Sequence, residues 1–126
     1  MTRIRTAHCV GVFVFAGMLH ACGEKSAEMS LQPTGDPEQG RRAIRHYGCG
    51  ACHRIPGIAG ADGNVGPPLV NMGARVYLAG VLANTPANMA HWIRAPQEIS
   101  PMTAMPDMQV TQEDAEAMTA YLYHSN

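Results

Sequence analysis

The stretch RHYGCGACHRIPG, residues 45–57, places Cys49 and Cys52 three positions apart and His53 directly after the second cysteine. A redox-active disulfide uses the same Cys-x-x-Cys spacing, but in thioredoxin-like proteins it follows a strand within a longer strand–helix pattern. No strand pattern precedes these residues. A zinc site would need four ligands, and apart from this pair the chain after residue 21 offers only one more cysteine, Cys22.

Cys-x-x-Cys-His is the attachment motif of c-type haem. Two thiols on one helical turn can reach the two vinyl groups of one porphyrin and form thioethers. The next residue then lies beneath the ring, where its imidazole can bind the iron. The predicted cofactor is therefore one covalent haem c, with its iron, held by Cys49, Cys52 and His53.

A six-coordinate electron-transfer haem needs a second axial ligand, and a methionine thioether is the usual one when the reduction potential is high. The chain has nine methionines, so composition alone does not identify this ligand. The segment PQEISPMTAMPDMQVT, residues 96–111, contains three prolines, which exclude a regular helix and favour an ordered loop. It offers three candidates, Met102, Met105 and Met108.

Several motifs, in order, resemble the class I (monohaem) cytochromes c of the bacterial respiratory type. GRRAIRHYGCGACH (residues 40–53) resembles their first helix and haem motif. GPPL (66–69) resembles the loop whose first proline carbonyl accepts a proton from the ligand histidine. NMAHWIRAPQEISPMTAMP (88–106) resembles their helix, proline-bounded loop and ligand methionine. The resemblance covers about residues 36–124.

The resemblance implies roles for individual residues. Met105 becomes the second iron ligand, and the carbonyl of Pro67 accepts from the ring of His53. Trp92 is expected beside the haem, and Arg75 is expected to face a haem propionate. The other histidines are expected at the surface; they include His46, His91 and His124.

The local patterns predict an all-α protein, in agreement with a small class I cytochrome c fold in which helices and loops surround one haem. Helices are expected over about 37–48, over 85–95 and from Thr111 onward, each opened by a capping or proline signal. No segment alternates as a strand would. The resemblance also implies that the first and last helices cross closely, with Gly40 against Tyr121.

The chain before the predicted domain (36–126) reads as an export signal and a linker. Arg3 and Arg5 precede an apolar run over 9–19, which is too short to span a bilayer. The residues LHAC at its end resemble the lipobox of bacterial lipoproteins, so we expect a signal peptide over 1–21 and lipid on Cys22. Ordinary cleavage after residue 21 is the alternative. Residues 22–35 lack apolar periodicity and are predicted to form a flexible tether.

The predicted function is one-electron transfer without catalysis. After removal of the signal, the chain contains seven Lys and Arg residues and ten Asp and Glu residues. The resulting net charge of −3 argues against a nucleic-acid-binding surface. By analogy with the family, a monomeric carrier on the periplasmic side of the cell membrane would shuttle electrons from a quinol-oxidising complex to a haem-copper oxidase. The alternatives are a permanently docked subunit of a dehydrogenase or oxidase, and a sensor or peroxidase with a displaceable Met105.

Overall fold

The computed structural model describes residues 31–126. The signal peptide predicted over 1–21 and the lipidation predicted at Cys22 lie outside this range. The described residues form a mainly helical domain, which confirms the predicted fold class. Its elements are α1 (Pro37–His46), a 3₁₀ turn (Cys49–Ala51), a second 3₁₀ turn (Met72–Ala74), β1 (Tyr77–Leu78), β2 (Leu82–Ala83), α2 (Pro86–Arg94), α3 (Pro96–Ile99) and α4 (Gln112–His124). None of the helices between residues 31 and 126 has the length and apolar character needed to cross a membrane.

Local capping fixes the bounds of α1 as the sequence predicted. The Asp36 carboxylate accepts from the backbone N–H of Glu38 at 2.9 Å, and Pro37 occupies the first turn, where its missing N–H costs nothing. The helix ends at His46, and Gly48 follows with a φ of 71°. Glycine tolerates this left-handed conformation, which turns the chain sharply after α1.

Helices α1 and α4 cross in close contact. A methyl group at Gly40 would overlap the carbonyl oxygen of Ala117 and lie 2.9 Å from the backbone nitrogen of Met118. The expected crossing is therefore present, and the atoms nearest to a methyl group at Gly40 belong to the α4 backbone. The Tyr121 hydroxyl donates to the carbonyl of Pro56 at 2.6 Å, and burial raises the pKa of Tyr121, so this hydroxyl stays protonated.

The proline-rich segment after α2 contains a short helix that the sequence analysis excluded. Thr85 caps α2, its hydroxyl accepting from the N–H of Asn88 at 3.2 Å. After α2 ends at Arg94, one further turn, α3, runs over Pro96–Ile99. Proline fits here because it stands at the first helical position, where no N–H is needed. The prediction of an ordered loop holds only for the residues after α3.

A small hairpin is the second difference from the sequence analysis. Tyr77 pairs with Ala83 and Leu78 with Leu82 in antiparallel register. The turn between them has positive φ at Ala79 (50°) and Gly80 (74°), the pattern of a type I′ turn. With only two residues per strand, no apolar–polar alternation exists for a sequence pattern to reveal.

The last part of the predicted tether lies against the domain. Pro33 and Thr34 line a surface groove of about 280 Å³ together with residues of α2 and α4. A methyl group at Gly35 would come within 2.5 Å of the α4 backbone. Within the described residues, the chain thus contacts the helices before α1 begins.

A carboxylate network joins the ends of α1 and α4. The Tyr47 hydroxyl donates to Asp114 Oδ2 at 2.9 Å, and the hydroxyl of Thr111 and the amide of Gln39 also contact this carboxylate. The Tyr47 contact is the main cause that lowers the pKa of Asp114, with Thr111 and Gln39 adding to it and partial burial opposing it.

Replacing Tyr47 with Phe should therefore destabilise the protein in a pH-dependent manner. A folded-state pKa below the unfolded value of about 3.9 stabilises the fold above that pH, and the contribution is lost as pH falls through the folded pKa. We expect Tyr47→Phe to lower the free energy of unfolding by about 1 kcal/mol at pH 7. The difference should shrink near pH 3 and below, as measured by urea unfolding followed by circular dichroism.

The matched control is Tyr77→Phe, at an exposed tyrosine on the hairpin. It should change stability little at either pH. An equal loss for Tyr47→Phe at neutral and acidic pH would show that the carboxylate is not what the hydroxyl stabilises.

Candidate functional site

A cavity of about 300 Å³ lies at the centre of the domain. Its volume is at the lower end of the range of about 300–1,000 Å³ typical of small-molecule and cofactor sites. Apolar side chains from three helices form much of its wall: Ile44, Met89, Trp92, Ile93, Met118 and Leu122. Both cysteines, His53 and Met105 also line it, so the residues that the sequence analysis selected are brought together.

The turn after α1 presents the Cys-x-x-Cys-His residues to this cavity. Gly48 reverses the chain, and the 3₁₀ turn (Cys49–Ala51) follows directly. Its geometry is fixed by backbone bonds, because the N–H groups of Cys52 and His53 both donate to the Cys49 carbonyl, at 3.2 and 3.0 Å. Both thiols and the imidazole therefore line one cavity from a single short segment.

Cys49 and Cys52 are not joined to each other by a disulfide. Burial raises the pKa of Cys49, and the neighbouring Cys52 raises it further, while a hydrogen bond with its own backbone opposes the shift. Redox-active Cys-x-x-Cys motifs work with a lowered thiol pKa, because the thiolate is the nucleophile. The environment of Cys49 thus disfavours the thiol–disulfide chemistry that the bare motif allowed.

The imidazole of His53 is held by the backbone of the following loop. Its Nδ1 atom lies 2.7 Å from the carbonyl oxygen of Pro67. A carbonyl can only accept, so Nδ1 carries the proton and Nε2 keeps the lone pair that a metal ion can use. The loop is fixed at its ends, where the N–H of Gly66 donates to Cys52 (2.8 Å) and that of Leu69 donates to Arg54 (2.9 Å).

Gly66 allows the loop to approach the imidazole. A methyl group at this position would overlap Cε1 of His53 and lie 2.7 Å from Nδ1. Every atom in the way belongs to the His53 ring, so any side chain here would displace the ring or the loop. The sequence analysis assigned no role to this glycine; the only sequence signal was its place directly before two prolines.

Of the three methionines considered in the loop after α3, only Met105 lines the cavity. Its N–H donates to the hydroxyl of Thr103 at 3.2 Å, and its carbonyl accepts from the amide of Gln97 at 2.8 Å. By contrast, Met102 is 94% exposed and Met108 is 40% exposed. The structure also places Met72, Met89 and Met118 in the cavity wall, which the sequence patterns did not indicate.

Trp92 and Arg75 both line the cavity, as the resemblance implied. Trp92 is partly buried and lies on α2. Arg75 is exposed, and its Nη2 donates to the carbonyls of Pro68 at 2.6 Å and Val70 at 3.1 Å. The guanidinium therefore contacts the same loop that supplies the acceptor for His53.

Asn84 is a site residue that the sequence analysis missed. Its Nδ2 donates to the carbonyls of Met72 and Arg75, both at 2.7 Å. Its Oδ1 accepts from the hydroxyl of Tyr123 on α4 at 2.9 Å. Burial raises the pKa of Tyr123, so that hydroxyl remains a donor. No sequence pattern marks an isolated asparagine as the link between three segments.

The side chains around the cavity fit a covalent haem. Two free thiols, an imidazole with an available Nε2 and a thioether surround a largely apolar space, and this donor set suits a porphyrin iron with two axial ligands. Among residues 31–126 no cluster of three or more His, Cys, Asp or Glu side chains could hold a metal ion.

The chain belongs to the cytochrome c family, whose model matches residues 37–126. Members of this family carry covalent haem c with its iron and transfer electrons, so haem c is the cofactor, as the motif predicted. The fold described above is consistent with the small class I cytochrome c fold.

One relative is the cytochrome c oxidase subunit 2 of Bacillus sp. (strain PS3). The two sequences are 30% identical over 84 residues, which make up 64% of this chain and 24% of that protein. The chain therefore spans about a quarter of the length of this relative.

The contact between Gly66 and His53 can be tested with Gly66→Ala. Because the added methyl group would overlap the imidazole, we expect a loss of about 2 kcal/mol in unfolding free energy, typical of an overpacked site. The His53 ring resonances in the NMR spectrum should shift as well. Urea unfolding and a two-dimensional spectrum measure the two effects.

Gly60→Ala is the control for this variant. Gly60 has a φ of 76° but no atom within 4 Å of an added methyl group. It should show only the backbone strain of about 1–2 kcal/mol and unchanged His53 resonances. Unchanged His53 resonances in Gly66→Ala would contradict the close contact.

Proposed function

We propose that this chain is a one-electron carrier whose haem is joined to Cys49 and Cys52 through thioethers and ligated by His53 and Met105. The observation that carries the proposal is that these four side chains line one apolar cavity. The Nδ1 atom of His53 is already held 2.7 Å from a carbonyl, which leaves Nε2 as the ligand atom. When bound, the haem supplies one-electron chemistry as its iron alternates between Fe²⁺ and Fe³⁺.

The protein residues bind the haem and set its potential. His53 and Met105 would both bind the iron, which would leave no open site for a substrate and would favour electron transfer over catalysis. A methionine ligand and apolar walls favour the reduced state and raise the potential. The carbonyl of Pro67 would orient His53 and strengthen its donation. Trp92 would pack beside the ring, and Arg75 would face a propionate.

We further propose that partners dock on an apolar rim, defined as Val65, Val76, Tyr77 and Val81. These four side chains are between 62% and 79% exposed, and Val65 and Tyr77 also line the cavity. The chain after residue 25 contains no lysine, so a lysine ring around the haem edge cannot steer docking. Candidate partners are a quinol-oxidising complex as the donor and a haem-copper oxidase as the acceptor.

A second candidate is a subunit permanently docked to an oxidase or dehydrogenase. The similarity to an oxidase subunit 2 favours it, since a related sequence there forms part of a larger protein. A permanent subunit would co-purify with its complex in fixed stoichiometry through a high-salt wash. A free carrier would elute as a monomer.

We also propose that lipid on Cys22, on the periplasmic side of the cell membrane, anchors the carrier. The LHAC sequence supports this assignment. Several acyl chains on one terminus would bind a membrane more firmly than a single myristoyl chain, which gives only marginal binding.

The haem assignment predicts a covalent adduct and a specific methionine. The mass of the mature protein should include one haem that survives acid–acetone extraction. The oxidised protein should show the weak near-infrared band of sulfur-to-iron ligation, and Met105→Ala should abolish it. Met102→Ala is the matched control and should keep the band, because that side chain is 94% exposed. A band lost only in Met102→Ala or Met108→Ala would contradict the assignment of Met105.

The docking proposal predicts weak salt dependence. Electron transfer to a haem-copper oxidase should change by well under tenfold between about 20 and 200 mM salt, over which the Debye length falls from roughly 20 Å to 7 Å. Val81→Ser should slow the transfer, because it removes apolar contact area. Leu31→Ser, at an apolar side chain that is 71% exposed and does not belong to the apolar rim, is the control. A steep fall with salt would instead implicate the basic residues of α1, Arg41, Arg42 and Arg45.

The anchoring proposal predicts that Cys22→Ser moves the protein from the membrane fraction into the periplasmic extract with its haem content unchanged. Cell fractionation with a haem stain measures both. Wild-type protein that is already released by a high-salt wash would contradict the anchor.

A further inference from the structure

We propose that Arg75 and Asn84 form a clamp that positions the Pro67 carbonyl against His53. Arg75 would act as a positioning residue through the backbone of the loop, in addition to any effect of its charge on the haem. This inference rests on the proposed function, in which His53 is an iron ligand.

The first part of the clamp is a pair of hydrogen bonds donated by one nitrogen atom of Arg75. Nη2 of Arg75 donates to the carbonyls of Pro68 (2.6 Å) and Val70 (3.1 Å). Pro68 directly follows Pro67, whose carbonyl lies 2.7 Å from Nδ1 of His53. Any movement of the loop that breaks the Arg75 contacts also moves the acceptor of the imidazole proton.

The loop depends on Arg75 because its own backbone has few donors. Neither Pro67 nor Pro68 has an N–H, so the centre of the loop cannot donate to a neighbouring segment. Backbone N–H groups hold the loop only at its ends. The N–H of Gly66 donates to the carbonyl of Cys52 at 2.8 Å, and the N–H of Leu69 donates to the carbonyl of Arg54 at 2.9 Å. Between these ends, the side chains of His53 and Arg75 donate to the carbonyls of Pro67 and Pro68.

Asn84 fixes Arg75 in turn. Its amide nitrogen bonds the carbonyls of Met72 and Arg75, which lie at the two ends of the second 3₁₀ turn, both at 2.7 Å. Its oxygen accepts from Tyr123 on α4 at 2.9 Å. A continuous series of contacts therefore runs from α4 through Asn84 and Arg75 to the loop that faces His53.

The clamp and a simple charge effect predict opposite changes in reduction potential. A strong Nδ1–H bond to Pro67 makes His53 a better donor and favours ferric iron, so a loosened clamp should raise the potential. Removing a cation near the iron also favours ferric iron and should lower the potential. Lysine separates the two effects, because it keeps the charge of arginine but has a shorter side chain that ends in an ammonium group. It therefore cannot reproduce the planar guanidinium that places Nη2 against both carbonyls.

The test compares Arg75→Lys, Arg75→Gln and Asn84→Ala in the haem-loaded protein. The exchange rate of the His53 Nδ1 proton in the ferrous protein, followed by NMR, and the midpoint potential are measured for each. We expect Arg75→Lys and Asn84→Ala to speed exchange by about tenfold or less, as one weakened hydrogen bond allows, and to raise the potential. In Arg75→Gln the Nδ1 proton should exchange equally fast. Its reduction potential should rise less than that of Arg75→Lys, or fall, because the positive charge is also lost.

Arg42→Lys and Arg42→Gln are the matched controls, because Arg42 is exposed on α1. They should leave the exchange rate unchanged. If Arg75→Lys fails to fold, Tyr123→Phe keeps the proposal testable, since it removes the far end of the clamp and should also speed exchange. Wild-type exchange in Arg75→Lys and Asn84→Ala would overturn the clamp. A wild-type protein without an iron-ligated His53 resonance would instead overturn the proposed function.

Discussion

The close crossing of α1 and α4 at Gly40 is the constraint on which the rest of the domain depends. Because glycine has no side chain, the backbone of α1 reaches that of Ala117 directly. The Cys-x-x-Cys-His turn follows the end of α1, so this crossing determines where the thiols and the imidazole lie. The other helix contributes Met118 and Leu122 to the same cavity. A side chain at position 40 would separate the two halves of the cavity wall.

The two sides of the cavity are held by different kinds of contact. On the side of His53, backbone carbonyls and a glycine position the ring, and the supporting donors come from Arg75 and Asn84. On the side of Met105, the side chains of Thr103 and Gln97 bond the backbone of the methionine itself. The pair of prolines, Pro67 and Pro68, reduces the number of backbone donors in the first loop, which explains why side chains from distant segments hold it.

The division between interior and rim fits an electron carrier. The interior wall is largely apolar, which disfavours the extra charge of ferric iron and favours the reduced state. At the edge, the side chains of the apolar rim are exposed, and two of them, Val65 and Tyr77, also line the cavity. Partial burial raises the pKa of the Cys49 thiol, which disfavours the disulfide exchange that the same motif performs in redox proteins.

The sequence by itself determined the three longer helices, the cofactor and the three residues of the haem motif. Helix bounds were predictable because their signals are local: Asp36, Thr85 and Thr111 cap the residues that follow them. From the residues alone, three methionines remained possible, and only packing brought Met105 to the cavity while leaving Met102 in solvent. The role of Gly66 and the links made by Asn84 also required the tertiary structure, because they join segments far apart in the chain and leave no periodic pattern.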